Sequence, residues 1–310
     1  MQILDQEGKV VEEWVSKKEA HVVYALAPGE YILHEEQVPT EQGYVRAEDV
    51  KFVVEETGDV QKVKMEDDHT KVSISKTDIT DGKEIEGAKL QILDQDGEVV
   101  ESWTTGEEHL IEYLPVGTYT LHEEAAVDGY IVANDVEFTV EETGEIQKVK
   151  MEDERAMGQL VIVKTDTDSK AALEGVEFVL LEKETGKEVG RLKTGKDGKA
   201  VSELLPIGTY ENGVFKEPIT YVLKETATLK GYEKTEKEWE IVFTYQNDKT
   251  PVIEVVKEIQ NKKIPETPGT VKPGPKTGDD TNWFLPLLAL GVSAGMVAGL
   301  LYYRKRHKKA

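Results

Sequence analysis

An internal repeat limits what this chain can fold into. The segment VEETGDVQKVKMED at residues 54–67 returns as VEETGEIQKVKMED at 140–153, with two differences in fourteen positions and a period of 86. QILDQEGKVVEEW at 2–14 likewise returns as QILDQDGEVVESW at 91–103. A period of this size is that of a small domain, so the chain consists of tandem copies of one unit.

A third copy is more distant and carries LPIGTY at 205–210 and YVLKETATLKGY at 221–232. The first copy begins at the QILDQ strand, so it has no counterpart of residues 71–88 and lacks a first strand. The predicted division is three modules, 1–69, 70–156 and 157–263, then a Pro-rich spacer with the sorting motif at 264–282, an apolar span at 283–303 and a basic tail at 304–310.

Alternation of apolar and polar residues predicts that the modules are built from β-strands. VSISK, QILDQ, YTLHE, VEFTV and IQKVKM all alternate in this way. Asp81-Gly82, Asp96-Gly97 and similar pairs supply hairpin turns between them. Short strands with frequent turns predict an all-β fold of tandem β-sandwich domains, with one C-terminal transmembrane helix.

Composition narrows the classes of partner and site. The 310 residues include no cysteine, which excludes disulfides and thiolate metal sites. The formal net charge of −23 predicts a surface that repels nucleic acid, so no nucleic-acid partner is expected. The six histidines show no metal-binding spacing, and the acidic runs lack the form of a calcium loop. We therefore expect neither a cofactor nor a bound metal.

The C-terminal segment indicates attachment to a membrane. The uncharged, mostly apolar run 283–303 is long enough to cross a bilayer as a helix, and the basic residues that follow favour a cytoplasmic end. The sequence Pro275-Lys276-Thr277-Gly278 precedes this run. An ordinary single-pass anchor that is never cleaved is the simpler interpretation of the span alone.

This arrangement resembles the LPXTG cell-wall sorting signal of Gram-positive surface proteins, with Gly274 in place of the leucine. The resemblance implies that a membrane sortase cuts between Thr277 and Gly278 and joins Thr277 to peptidoglycan. IPET at 264–267 is similar, but Pro268 follows it where glycine belongs. Residue 1 opens on a strand without an export signal, so we expect the sequence to be a fragment or to start at an internal methionine.

The modules resemble the Cna protein B-type family, also called SpaA-like or prealbumin-like domains, of pilins and adhesin stalks. The resemblance rests on a Y-x-L-x-E-T…G-Y box at 221–232 in the third module. In that family a first-strand lysine and a last-strand Asn or Asp form an intramolecular isopeptide bond, promoted by the box glutamate. By position, the third module offers Lys164, Glu225 and Asn261.

The second module offers Lys76, Glu123 and Asp153, but it departs from the pattern. Glu124 replaces the box threonine, and its acceptor is Asp rather than Asn. In the first module Glu35 and Asp67 match the pattern without a lysine partner, so no bond is expected there.

Strand parity places the three polar residues of each complete module on the apolar face of their strands. Buried charges are costly unless they are paired or neutralised. Burial lowers the pKa of an amine and raises that of a carboxylic acid, which would give a neutral nucleophile beside a proton donor. The alternative is a lysine at a strand end that extends its amine to solvent.

The sequence contains no set of residues typical of an enzyme active site, so we expect no enzymatic activity. The leading hypothesis is a wall-anchored stalk or pilin-like subunit, stiffened by isopeptide bonds, with sortase and peptidoglycan as partners and a membrane contact through 283–303 before cleavage. The alternative is that one module itself binds a host or matrix protein, and the insert at 209–221 is the loop best suited to this.

Overall fold

Strands form nearly all of the regular structure in the computed structural model, which describes residues 1–266. Over this range the chain has twenty-four strands and one short 3₁₀ helix, which confirms the all-β prediction. No helix within residues 1–266 is long and apolar enough to cross a membrane. The predicted span 283–303, the motif at Thr277 and the basic tail all lie outside the described residues.

The first module contains one antiparallel sheet of four strands, in the order β2-β1-β3-β5, and a small pair β4-β6. Ile3 and Leu33 are buried beneath the sheet. The strands are β1 (Gln2–Leu4), β2 (Val10–Glu13), β3 (Gly29–His34), β4 (Tyr44–Val45), β5 (Val50–Val54) and β6 (Asp68–His69), and the 3₁₀ helix is Thr40–Gln42.

The second module is a sandwich of two four-stranded sheets, β10-β7-β14-β12 and β13-β11-β8-β9. Its strands are β7 (Lys71–Asp78), β8 (Lys89–Leu93), β9 (Val99–Thr104), β10 (His109–Glu112), β11 (Gly117–Ala125), β12 (Tyr130–Ile131), β13 (Val136–Val140) and β14 (Ile146–Arg155). The core between the sheets includes Ile74, Leu90, Leu121 and Met151. Gly97 has a φ of 83°, as expected of the predicted Asp-Gly turn between β8 and β9.

The third module repeats the sandwich and adds a hairpin. One sheet places β15 between β24 on one side and β18 and β19 on the other, the second sheet is β17-β16-β22-β23, and β20-β21 pair separately. The strands are β15 (Met157–Asp166), β16 (Glu177–Glu182), β17 (Glu188–Lys193), β18 (Lys199–Val201), β19 (Leu205–Pro206), β20 (Gly208–Glu211), β21 (Val214–Pro218), β22 (Thr220–Ala227), β23 (Glu238–Val242) and β24 (Val252–Asn261).

One repeated sequence has two different structures. Residues 146–153 lie in β14, which pairs in parallel with β7. The nearly identical residues 60–67 form no strand, and Val60 is 81% exposed. The first module has no counterpart of β7 within residues 1–69, so the backbone of 60–67 lacks the neighbour with which it would pair. The predicted loss of the first strand thus also removes most of the last one, of which β6 remains.

Candidate functional site: buried Lys-Glu-Asn and Lys-Glu-Asp clusters

The first and last strands of each complete module are adjacent and parallel, and this places the lysine beside its predicted acceptor. In the third module Lys164 is in register with Ile259, two residues before Asn261 on the same face. In the second module Lys76 is in register with Met151, two residues before Asp153. Because residues two apart share a face, each lysine points along the sheet toward the acceptor.

All six predicted residues of the two complete modules are buried, as strand parity predicts. The exposed fraction is 0% for Lys164, 4% for Glu225 and 2% for Asn261. It is 2% for Lys76, 2% for Glu123 and 0% for Asp153. The lysines therefore do not extend their amines to solvent.

In the third module the three side chains form a closed hydrogen-bonded cluster. Lys164 Nζ donates to Asn261 Oδ1 at 2.5 Å and to Glu225 Oε2 at 2.9 Å. Asn261 Nδ2 donates to Glu225 Oε1 at 2.6 Å. One carboxylate thus accepts from both the amine nitrogen of Lys164 and the amide nitrogen of Asn261. The carbonyl oxygen of Asn261 accepts from Lys164, and Glu225 contacts the amide nitrogen of Asn261.

The surroundings of Lys164 favour its neutral form. Burial lowers the pKa of the Lys164 amine, although the carboxylate of Glu225 opposes this shift. The amine also lies 5.8 Å from the centre of the Phe178 ring, at the outer range of a cation–π contact. A lowered pKa increases the fraction of amine with a free lone pair, which is the nucleophilic form.

Thr228 is a member of this cluster that the sequence analysis missed. Its hydroxyl accepts a hydrogen bond from Asn261 Nδ2 at 2.8 Å and so fixes the orientation of the amide. Comparison of the repeats could have identified Thr228, because residues 225–228 of the third module are ETAT and the equivalent residues 123–126 of the second are EEAA. The second module therefore has no hydroxyl at this position.

The second module assembles a lysine and two carboxyl groups. Lys76 Nζ contacts Asp153 Oδ1 and lies 3.0 Å from Glu123 Oε2. Glu123 Oε2 also accepts the backbone N–H of Ala133 at 2.6 Å. The other two oxygens, Glu123 Oε1 and Asp153 Oδ2, are buried without a hydrogen-bond partner.

A proton bound to one of the two carboxyl groups accounts for this cluster of one lysine and two buried acids. Two buried carboxylates beside one ammonium would leave a net negative charge and two unpaired oxygens. Burial, with the nearby Glu123 acting in the same direction, raises the pKa of Asp153 to about 7. A proton on Asp153 neutralises the cluster and makes this carboxyl group more electrophilic.

The first module retains half of the site. Glu35 is 4% exposed, and it accepts the backbone N–H of Ala47 at 3.1 Å, as Glu123 does from Ala133. Burial raises the pKa of Glu35. Asp67 is exposed, and no lysine within residues 1–266 lies hydrogen-bonded to Glu35. The predicted acceptor and glutamate of this module are therefore not brought together with a nucleophile.

The two complete modules share a β-sandwich, parallel first and last strands and a buried lysine, and the comparisons with known proteins give their family. The model of the SpaA prealbumin-like fold domain matches residues 1–69, 70–155 and 158–259. The chain belongs to this family. Among curated proteins, none matches the chain.

Several solved structures resemble the chain. The Bacillus anthracis TIE protein is 29% identical with a TM-score of 0.49, over 77% of this chain and 43% of that one. A streptococcal ancillary pilin is 19% identical with a TM-score of 0.29, over 78% of this chain and 77% of that one. The shaft pilin SpaA of Lactobacillus rhamnosus GG is 16% identical with a TM-score of 0.27, over 64% of this chain and 99% of that one. The chain therefore spans less than half the length of the TIE protein.

Proposed function

We propose that this chain is the structural stalk of a Gram-positive cell-surface protein, and that intramolecular isopeptide bonds stiffen its second and third modules. The observation that carries the proposal is the contact of a buried lysine amine with a buried amide and a buried carboxylate in the third module. A cluster of this kind is costly to bury unless it reacts or serves as a fixed network. Its tandem repetition suits a stalk better than a single binding site.

The geometry suggests a reaction in which Glu225 moves one proton. The neutral amine of Lys164 attacks Asn261 Cγ and forms a C–N bond. The carboxylate of Glu225 takes a proton from Nζ and then gives that same proton to Nδ2, which leaves as ammonia as the Cγ–Nδ2 bond breaks. The reactants are held in contact by the sheet, so the reaction gains the high effective concentration of fixed partners. Glu225 acts once on its own chain, which is not enzyme turnover.

The second module would react in the same way with a different leaving group. Glu123 takes a proton from Lys76 Nζ, and the neutral amine attacks Cγ of the acid form of Asp153. Glu123 gives that proton to the departing hydroxyl, which leaves as water as the Cγ–O bond breaks, and takes the surplus proton from the new amide nitrogen. The acid form of Asp153 is needed, because a carboxylate is a poor electrophile. With a pKa of about 7, Asp153 holds that proton on the acid side of neutrality.

Replacing Asp153 with Asn is a matched test of the second bond. Asp153 would lose water, whereas an asparagine at this position would lose ammonia, so the two cross-linked products are the same molecule. We expect Asp153→Asn to yield a branched tryptic peptide, containing Lys76 and residue 153, with the mass of the wild-type peptide. If the wild type and Asp153→Asn instead give linear peptides, and those containing residue 153 differ by the mass difference between aspartate and asparagine, the bond does not form.

The mode of attachment is the second part of the proposal. Pro275-Lys276-Thr277-Gly278 before the apolar run and basic tail supports cleavage by a sortase after Thr277 and transfer to peptidoglycan.

Replacing Thr277 with Ala tests this attachment. Expressed behind a working signal peptide in a Gram-positive host, the wild-type chain should be found in the wall fraction and be released by muralytic enzymes. Thr277→Ala should move the chain to the membrane fraction, because it removes the threonine side chain of the sorting motif that the sortase would recognise. An unchanged wall fraction would rule out cleavage at Thr277.

A further inference from the structure

The hairpin β20-β21 of the third module contacts the second module through aromatic side chains. The Tyr210 hydroxyl donates to the carbonyl of Gly129 at 2.8 Å. The Tyr210 ring meets the Tyr130 ring edge-on, with centroids 5.2 Å apart. The Arg155 guanidinium lies 4.1 Å over the Tyr210 ring, within the range of a cation–π contact.

Arg155 is itself held in place by the second module. Its Nε donates to Asp78 Oδ2 at 2.6 Å, and its Nη2 donates to Asp81 at 3.0 Å. The Tyr130 hydroxyl also donates to Asp78, at 2.8 Å. Asp78 is fully buried, so its charge depends on these partners. Tyr210 thus contacts two side chains whose positions are fixed independently of the third module.

Two glycines permit the close approach of the modules. A Cβ on Gly129 would lie 2.8 Å from the Tyr210 hydroxyl and from the Phe215 ring. A Cβ on Gly213, at the tip of the hairpin, would lie 2.2 Å from the carbonyl oxygen of Glu84. The backbones therefore meet at distances that leave no room for a larger residue at these two positions.

The contact between the first and second modules uses the same repeat positions. Gly43, Tyr44 and His69 correspond to Gly129, Tyr130 and Arg155. A Cβ on Gly43 would lie 2.3 Å from the backbone of Tyr113 in the second module. The Tyr113 ring stacks on His69 at 4.1 Å and meets Tyr44 edge-on at 5.4 Å.

We propose that the Gly-Tyr turn and the side chain paired with it in the last strand, His69 in the first module and Arg155 in the second, form a docking site for an aromatic side chain of the following module. The partner is therefore the next module of the same chain. In the third module the insert at 209–221 supplies this side chain, so its aromatic residues are used for docking and not for a host ligand. Docking of this kind holds consecutive modules in a fixed relative orientation, which a stalk requires independently of any cross-link.

The third module has its own copy of the turn, and this provides a control. Gly231 and Tyr232 are the last two residues of the box, and Tyr232 pairs with Lys263 as Tyr130 pairs with Arg155. Gly231 and Gly129 have nearly the same backbone conformation, with φ values of 86° and 90°. Among the described residues, nothing lies within 4 Å of a Cβ on Gly231. Alanine at either position causes similar backbone strain, but only at Gly129 would it obstruct docking.

The full chain can be labelled at chosen positions because it has no cysteine. Asp96→Cys and Glu184→Cys place spin labels on exposed turns of the second and third modules. Pulsed dipolar spectroscopy should give a single narrow distance distribution for the otherwise unchanged chain. Gly129→Ala should lose that narrow distribution, and Gly231→Ala should retain it.

Tyr210→Ala is the second variant, since it removes the ring and the hydroxyl without strain in the turn. We expect Tyr210→Ala to broaden the distance distribution as Gly129→Ala does. If Gly129→Ala fails to fold, Tyr210→Ala tests the docking contact by itself. A distribution that stays narrow in Tyr210→Ala would overturn the proposal. Equal broadening in Gly231→Ala and Gly129→Ala would also overturn it, since turn strain alone would then be the cause.

Discussion

Replacing Lys164 with Ala should lower the free energy of unfolding of the third module by about 4.7 kcal/mol, the value for a closed loop of roughly 100 residues in the loop-entropy model. The two ends of the proposed bond are 97 residues apart. Without the bond the unfolded chain regains the freedom of that loop. Hydrogen exchange of the backbone amides in β15 and β24, measured in the full chain, should show the loss of protection.

Asn261→Ala serves as the comparison for this prediction, since it removes the same bond from the other end. Each variant also loses its own packing and hydrogen bonds, so the loss that both share reports the cross-link. The stabilities of the first and second modules should change little. Unchanged exchange in β15 and β24 of either variant would contradict a covalent tie between these strands.

Glu225→Ala should leave the third module uncross-linked, with the mass of the chain higher by one ammonia than that of a cross-linked chain with the same substitution. The physical reason is that Glu225 accepts from both Lys164 Nζ and Asn261 Nδ2. Without it no group carries the proton from the attacking nitrogen to the leaving one. Peptide mass mapping of the full chain measures the effect.

The second module is an internal control in the same molecule. Its Lys76, Glu123 and Asp153 are untouched by Glu225→Ala, so the branched peptide from the second module should remain. A branched peptide from the third module of Glu225→Ala would show that the glutamate is not needed. Loss of both branched peptides would point to general misfolding instead.

The sequence was sufficient to predict much of this site. Strand alternation placed Lys164, Glu225 and Asn261 on inward faces, and the structure buries all three. The prediction succeeded because side-chain direction in a strand follows residue parity, which is a local property. The family model matches all three predicted modules, which supports the prediction of tandem β-domains made from the repeats.

Features that depend on a distant partner were not predicted. Residues 60–67 have the sequence of β14 but form no strand, because strand formation needs a neighbour to pair with. The contact of Tyr210, in the insert at 209–221, with Gly129 and Arg155 was not predicted either. Neither outcome follows from local sequence alone, since each depends on a contact between segments far apart in the chain.

The most direct test of the proposed stalk is a peptide map of the wild-type chain. Tryptic digestion followed by fragmentation mass spectrometry should yield one branched peptide that contains both Lys164 and Asn261. Its mass should be lower than the sum of its two linear parts by one ammonia. Two linear peptides at their full calculated masses, with cleavage after Lys164, would contradict the cross-link and with it the account of the third module as a covalently stiffened unit.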